Sequence, residues 1–208
     1  VEVHRGGQVF EQEYKRGKPQ ADVKVIGETD VTGTHVTFQP DFEEIFEEGN
    51  YKYETLAGRI RELSFWNKGL VLTLTDERLK EEDGSFKTET FHSEGGLQEF
   101  VVYLDANRQK LIETPIYVTG KEDSVDIEVA MTYNTSYSES IHSYVNNINT
   151  RDGGTHVSGF RRAVNRVFKQ YGDDNGFFKK IKFAIAGEDF REGLTAIVSV
   201  KVPEPQFK

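Results

Sequence analysis

Basic side chains recur at helical spacing near the carboxyl terminus, and their chemistry suits contact with a polyanion. At about 100° per residue, Arg162, Arg166 and Lys169 lie on one face of a helix predicted over residues 154–171. The opposite face is apolar and holds Val157, Phe160, Val164, Val167, Phe168 and Tyr171. Arg161 lies on the flank between the two faces, where a half-shielded guanidinium can point along the surface. The basic face has two interpretations: it is either an ordinary solvent-exposed face of the helix or a surface that binds a polyanion.

The segment that leads into this helix, residues 151–156, contains two glycines and two possible caps. The side-chain oxygen of Asp152 or Thr155 could accept a hydrogen bond from a free backbone N–H group of the first turn. A phosphate site is the alternative, because uncapped helix N-termini attract anions. We favour capping, since the spacing indicates nothing more.

Acidic residues cluster in two places that could support acid–base or metal chemistry. Residues 187–193 resemble one helical turn in which Glu188 and Glu192 could pair with Arg191, or could act as a general acid and base. Residues 41–49 contain five acidic side chains in a predicted turn or loop. We favour ion pairing in the first cluster and a solvated face, not a metal site, in the second.

The sequence lacks the motifs of self-contained enzymes. It contains no Cys, which excludes disulfides, thiolate metal sites and a cysteine nucleophile, and which suits a reducing cytosol. Gly120-Lys121 is followed by Glu122, so there is no P-loop, and GxGxxG, GxSxG and HExxH sequences do not occur. The five histidines are not at metal-ligand spacing. An independent hydrolase or dehydrogenase is therefore not expected.

Charge is distributed unevenly along the 208 residues. Residues 1–150 carry 15 Lys and Arg against 28 Asp and Glu, whereas residues 151–208 carry 11 against 7. A local basic surface can bind phosphate groups even in an acidic chain, so nucleic acid is expected only at the carboxyl-terminal end. No stretch approaches the roughly 18 apolar residues of a membrane span, and we expect a soluble chain. The absence of an initiator Met leads us to expect a fragment of a longer protein.

Turn signals and periodicity in the first half predict alternating strands and helices. The first forty residues predict a small antiparallel meander. Two helices are predicted over residues 51–66 and 97–106, and a hairpin of two strands, 70–75 and 86–91, lies between them. One α/β layer ends near residue 93, and a domain boundary is expected there.

The second half predicts strands on both sides of the long basic helix. The strands are expected over residues 116–119, 124–133, 139–145, 181–186 and 194–202. This succession of three strands, a helix and two strands indicates a mixed α+β fold.

Four segments, in order along nearly the whole chain, form a recognisable pattern. They are YETLAGRIRELSF (53–65), HSEGGLQEFVVYL (92–104), YVNNINTRDGGTHVSGFRR (144–162) and EDFREGLTAIVSVKVPEPQF (188–207). Together they resemble the DNA gyrase B family. The corresponding B protein of topoisomerase IV shares most of the pattern and is the close alternative.

The resemblance implies a two-domain organisation. Residues 1–93 would be the carboxyl-terminal part of a GHKL ATPase domain, an α/β sandwich. Residues 94–208 would be a transducer domain with a mixed sheet and a left-handed β-α-β crossover. The family's catalytic Glu, Mg²⁺-binding Asn, adenine-reading Asp and glycine-rich ATP lid are not found in this sequence, which ends where the family's Gln-Thr-Lys switch loop would begin. The resemblance therefore implies a fragment that neither hydrolyses ATP nor binds it tightly.

Three site residues follow from the resemblance. Thr34 matches the family threonine that closes the adenine pocket, and Val36 would line that pocket. Arg161, in the sequence GFR (159–161), matches a cavity-lining arginine that faces transported duplex DNA. His35 stands where an apolar residue would be expected. No catalytic residue and no metal ligand are expected in this chain.

The resemblance also implies the role of the parent protein. It would be an ATP- and Mg²⁺-dependent type II topoisomerase that passes one duplex through a double-strand break in another, which in gyrase introduces negative supercoils. Its partners would be DNA and the gyrase A protein, in a heterotetramer of two A and two B subunits, with ATP-dependent dimerisation of the amino-terminal clamp. The expected location is the cytoplasm, at the nucleoid, without a membrane partner. A non-enzymatic nucleic-acid-binding module is the rival interpretation, since a fold alone does not establish function.

Overall fold

The computed structural model describes residues 1–47 and 49–206, which form two compact units, residues 1–52 and 53–208. Glu48 of the acidic segment, and residues 207 and 208 at the end of the expected transducer domain, lie outside the described residues. The domain boundary expected between residues 93 and 94 falls inside the second unit and stays a prediction.

The first unit is built on a four-stranded antiparallel sheet. Its strands are β1 (Glu2–Arg5), β2 (Gln8–Glu11), β5 (Lys24–Glu28) and β6 (Gly33–His35), and a separate ribbon contains β3 (Tyr14–Lys15) and β4 (Lys18–Pro19). The order across the sheet is β5-β2-β1-β6. The expected meander is therefore wrong, because the amino-terminal strand β1 lies between β2 and β6 and takes the place of β5 as the partner of β6.

The second unit begins with a helix packed on a hairpin. Helix α1 (Tyr53–Trp66) contacts β7 (Val71–Lys80) and β8 (Phe86–His92). Leu72 and Leu74 of β7 are half-buried and alternate with exposed residues, as expected for a strand with one covered face. The hairpin strands are longer than predicted, and the register shifts after Asp76.

The core of the second unit lies between helix α2 (Leu97–Leu104) and a sheet. Leu97, Phe100 and Val101 project from α2 at helical spacing and are all at most 2% exposed. They pack against three buried sheet residues, Ala130, Tyr144 and Ile197. The ring of Phe65 from α1 stacks on Phe100 with 4.9 Å between centroids. This cluster therefore joins α1, α2 and the sheet in one apolar core.

The sheet of the second unit is mixed. Its five strands are β9 (Ile116–Glu122), β10 (Val125–Tyr133), β11 (Ser140–Val145), β12 (Ile148–Asn149) and β13 (Leu194–Lys201). The order across the sheet is β12-β11-β13-β10-β9. Strands β11 and β13 are parallel, while every other pair is antiparallel. The mixed α+β fold expected from the sequence is confirmed.

Helix α3 (Thr155–Asp174) forms the crossover between the parallel strands β11 and β13. Seven of the eight residues of β13 are buried, because α2 and α3 both contact this strand and neighbouring strands pair with both of its edges. The left hand of the crossover stays a prediction.

The strand predicted over residues 181–186 is wrong. These residues form no strand, and Ile181 and Phe183 are exposed. Large apolar side chains recur here at every second position, Ile181, Phe183 and Ile185, as they would in a strand, but it is β13 that takes the sheet position beside β11 and this segment joins no described sheet.

Within residues 1–47 and 49–206, no helix is both long enough and apolar enough to span a bilayer.

Candidate functional site

Glycine geometry sets the start of the basic helix α3. Gly154 is the N-cap residue, with a φ angle of 150°, and no side chain makes a capping hydrogen bond. A Cβ at this position would lie 2.9 Å from the ring of His156, which would have to move, and the φ angle itself favours glycine. The expected cap from Asp152 or Thr155 is therefore wrong: Gly154 takes the N-cap position, Thr155 is already the first residue of the helix, and neither side chain makes a capping hydrogen bond.

Arg161 lies on the flank of α3, as its helical position predicts. Val157 and Val164, on the same side of the helix, are buried, whereas the Arg161 side chain is 46% exposed. Its Nε donates to Oε1 of Glu139 at 2.7 Å, and its Nη2 donates to the same oxygen. Glu139 immediately precedes β11, so the helix flank is tied to the strand that enters the crossover.

Arg191 holds the other oxygen of the same carboxylate. Its Nε donates to Oε2 of Glu139, and its Nη1 donates to Oδ1 of Asn165 at 2.7 Å and to the carbonyl oxygen of Gly187 at 2.8 Å. The Arg191 side chain is only 13% exposed. Among the described residues, the ion pair of Arg191 is with Glu139 and not with the neighbouring glutamates that the sequence suggested.

The resulting cluster of Arg161, Glu139 and Arg191 carries a net positive charge. Burial alone would raise the pKa of Glu139, but the hydrogen bonds from the two guanidinium groups lower the pKa below its ordinary value. The carboxylate is therefore ionised at neutral pH, and two arginines against one glutamate leave a formal excess of one positive charge. Because Arg161 is its exposed member, this charge is presented to solvent on the flank of α3.

The basic face of α3 is exposed. Arg162, Arg166 and Lys169 are solvent-accessible, and none of them forms an ion pair within the described part of the chain. Two residues expected on the apolar face, Val167 and Tyr171, are also exposed, at 56% and 59%. The apolar stripe is thus buried at Val157 and Val164 and half-buried at Phe168, whose ring contacts Tyr133 and Phe190.

Thr34 and Val36 lie at the edge of the sheet in the first unit. Thr34 is in the edge strand β6, opposite Val3, and is exposed. Val36, 58% exposed, lines an open cavity of about 1050 Å³ together with His35 and Phe38. His35 lies 3.7 Å from the Glu2 carboxylate, so an ion pair becomes possible when the ring is protonated. The two residues assigned to the adenine pocket are thus both exposed at one edge of this unit.

The acidic segment after β6 is organised by an arginine. The guanidinium of Arg16 forms ion pairs with Asp41 at 2.5 Å, with Glu44 at 2.6 Å and with Glu43 at 3.7 Å. The hydrogen bond from Arg16 is the main reason why the pKa of Asp41 lies below its ordinary value. No group of three or more His, Asp or Glu side chains within residues 1–47 and 49–206 could hold a metal ion.

Sequence reasoning located Arg161 but missed its partners Glu139 and Arg191. Glu139 is 22 residues from Arg161 and 52 residues from Arg191 along the chain. No local pattern joins such positions. The sequence offered only an indirect indication of these partners, because an arginine that becomes buried needs a carboxylate beside it.

Comparison with known proteins places this chain in a family. A family model described as DNA gyrase B matches residues 96–208, which is more than half of the chain. The DNA gyrase B subunit of Cytophaga hutchinsonii is 58% identical over 208 residues, which are 100% of this chain and 43% of that protein. The DNA gyrase B subunit of Halalkalibacterium halodurans is 48% identical over 208 residues, which are 32% of its length. The chain thus spans less than half the length of these relatives.

Solved structures agree with this assignment. The 43K ATPase domain of Thermus thermophilus gyrase B, crystallised with an aminocoumarin, has a TM-score of 0.85 and 35% identity, over 100% of this chain and 55% of that one. A topoisomerase IV ATP-binding domain from Francisella tularensis shares the fold, with a TM-score of 0.71 and 22% identity, over 99% of this chain and 54% of that one. The family model matches more than half of the chain, the curated relatives match all of it, and this chain belongs to the DNA gyrase B family.

Proposed function

We propose that this chain is part of the ATP-hydrolysing component of a bacterial DNA gyrase, which introduces negative supercoils by duplex passage. The observation that carries the proposal is similarity along the whole chain to sequences named as the B subunit of DNA gyrase and to a gyrase B ATPase domain. Gyrase is preferred to topoisomerase IV because the relatives that are 48% to 58% identical are named as the B subunit of DNA gyrase, whereas the topoisomerase IV structure, at 22% identity, shares only the fold.

The activity of the assembled enzyme tests this choice. The full-length protein, mixed with the gyrase A protein, ATP and Mg²⁺, is expected to introduce negative supercoils into relaxed circular DNA. An enzyme that separates linked circles efficiently but never supercoils would instead identify topoisomerase IV. The same chemistry implies a cytoplasmic location, with chromosomal DNA as the substrate.

The proposed role of this chain is to transmit nucleotide state to the DNA gate. The apolar cluster between α1, α2 and the sheet supports this role, because closely packed elements move as a unit. Strand β13, buried over seven of its eight residues, carries the chain from the crossover toward its carboxyl-terminal end. A change imposed at that end would therefore be carried into the sheet and α3.

For the nucleotide, we propose that Thr34 and Val36 contribute one wall of the adenine site. An exposed hydroxyl on an edge strand can join a hydrogen-bond network around a base, and an exposed valine two residues later can cover its apolar face. No described cluster of side chains suits Mg²⁺, so we assign no Mg²⁺ ligand to this chain. Purified chain should show no Mg²⁺-dependent ATP turnover above background, and measurable turnover would contradict this division of roles.

For DNA, we propose that Arg161 contacts the phosphates of the transported duplex. The proposal is supported by the half-exposed guanidinium, the excess positive charge of its cluster and the unpaired basic residues on the adjacent face of α3, all within the described part of the chain. Such contacts neutralise phosphates without reading bases. They are therefore expected to be weak, sensitive to salt and indifferent to sequence.

Substitution of Arg161 tests the DNA contact. Arg161→Ala should weaken binding of a fluorescent duplex about threefold to tenfold at low salt and should reduce the slope of log affinity against log salt by about one. Arg5→Ala removes the same charge from an exposed residue of the other unit and serves as the control. Equal effects of the two substitutions, or binding that salt does not change, would contradict the assignment.

A further inference from the structure

Glu139 lies between two arginines that differ sharply in their freedom to move. Arg191, on one side, is 13% exposed and also donates to Asn165 and to the carbonyl oxygen of Gly187. Glu139 itself is 20% exposed, and Arg161, on the other side, is 46% exposed. The interior arginine thus holds the carboxylate in place, and the carboxylate in turn holds the exposed arginine.

The hydrogen bonds of Arg161 leave one side of its guanidinium free. Both donors that face Glu139, Nε and Nη2, point to the single oxygen Oε1. In the described part of the chain, Nη1 has no hydrogen-bond partner, and Nη2 has a second N–H that is not used. These two nitrogens form the end-on fork that matches two oxygens of a phosphate.

A phosphate on this fork would remain close to the carboxylate of Glu139. The hydrogen bonds from Arg161 and Arg191 keep that carboxylate ionised, so it would repel the phosphate while it orients the guanidinium. Orientation favours binding and repulsion opposes it. Both effects come from one side chain, which makes Glu139 suited to set the strength of the contact.

We propose that Glu139 is a positioning residue that orients Arg161 and, by its charge, weakens the contact between Arg161 and a DNA phosphate. This inference rests on the proposed contact between Arg161 and duplex DNA. A duplex that is transported must be released as well as held. The Glu139 carboxylate, held in place by Arg191, limits the strength of the contact between Arg161 and the phosphate without abolishing it.

Glu139→Gln tests the charge, because glutamine keeps one oxygen that can accept from Arg161 while its uncharged amide NH₂ replaces the oxygen that accepts from Arg191. Removing a unit charge about 7 Å from a phosphate in a water-like dielectric should tighten binding about threefold. Glu192→Gln is the matched control, since this exposed glutamate adjoins Arg191 in the sequence and its substitution changes the net charge equally. Binding of a fluorescent duplex by the 208-residue chain is measured over a range of salt, after thermal melting has shown that each variant folds.

The expected result is tighter binding by Glu139→Gln than by Glu192→Gln, and no such difference when Arg161 is already alanine. Equal affinities of the two glutamine variants, or weaker binding by Glu139→Gln, would overturn the inference. If Arg161→Ala leaves DNA binding unchanged, the proposed DNA contact itself fails. If Arg161→Ala weakens binding but Glu139→Gln does not strengthen it, only the role of Glu139 fails.

A measurement on the unsubstituted chain provides a second test that does not depend on how variants fold. The Nε–H proton of Arg161, assigned by its loss in Arg161→Ala, should exchange slowly with solvent before and after addition of duplex, since Glu139 keeps its hydrogen bond in both states. Rapid exchange after DNA is added would show that phosphate replaces the carboxylate, and would refute the proposed arrangement.

Discussion

Asp105 at the end of α2 is the centre of a fully buried polar network, and its removal should strongly destabilise the second unit. Its Oδ1 accepts hydrogen bonds from Asn134 Nδ2 and Thr195 Oγ1, both at 2.8 Å. Asp105 and Thr195 are 0% exposed and Asn134 is 1% exposed. Arg108 donates to Thr195 at 2.9 Å and lies 3.5 Å from Asp105. The network therefore connects the end of α2 to the end of β10 and the start of β13.

The expected loss follows from these partners. Asp105→Ala removes two hydrogen bonds to a charged acceptor, each contributing about 1.5–3 kcal/mol, and leaves buried donors on Asn134 and Thr195. The guanidinium of Arg108, whose side chain is 36% exposed, can be rehydrated, which limits the loss. We expect the free energy of unfolding to fall by about 3 kcal/mol. At about 2–4 °C per kcal/mol for a unit of this size, Tm should decrease by about 6–12 °C.

Thermal unfolding followed by calorimetry and circular dichroism measures this decrease. Asp126→Ala is the matched control, because Asp126 also forms an ion pair, with Lys121 at 3.1 Å, but is 53% exposed. An exposed pair contributes about 0–1 kcal/mol, so the control should change Tm little. A Tm shift for Asp105→Ala no larger than that for Asp126→Ala would refute the reasoning.

Two further substitutions test a titrating group and a glycine. Hydrogen bonds from Arg78 lower the pKa of Asp76 to about 2, so its contribution to stability is present above the ordinary value near 3.8 and is lost as pH falls toward 2. The Tm difference between the unsubstituted chain and Asp76→Asn should therefore be largest at neutral pH and vanish near pH 2, and a difference constant with pH would contradict this. Gly193→Ala should destabilise by about 2–4 kcal/mol, because Gly193 has a φ of 71° and a Cβ would lie 2.2 Å from the carbonyl oxygen of Asn134. Gly120→Ala, with no atom within 4 Å of its Cβ, is the control, and an equal effect on Tm would argue against strain at Gly193.

Local patterns in the sequence predicted elements whose stability depends on near neighbours. Helices α1 and α3 follow from apolar residues at helical spacing, and the hairpin of β7 and β8 follows from alternation around a polar turn. The segments that resemble gyrase B predicted the family, which the comparisons confirm. The flank position of Arg161 also needed only the helical period. The assignments of Thr34, Val36 and Arg161 to nucleotide and DNA stay predictions.

Patterns of the same kind failed where the outcome depended on a distant partner. Residues 181–186 place large apolar side chains at every second position, as a strand would, but join no described sheet, and β6 pairs with a strand at the amino terminus instead of the preceding strand. Periodicity describes which face of an element is apolar. It does not describe which other element is available to cover that face or to complete a ladder.

The sequence by itself determined the family, the α+β class, the main helices and the location of the basic helix, because each depends on residue type and short-range spacing. Only the tertiary structure decided that Glu139 joins Arg161 to Arg191 and that Asp105, Asn134 and Thr195 share one buried network. The members of that network are 29 to 90 residues apart along the chain. Long-range contacts depend on how strands and helices pack in space, since a buried charge or polar group is stable only beside the partner that the fold brings to it.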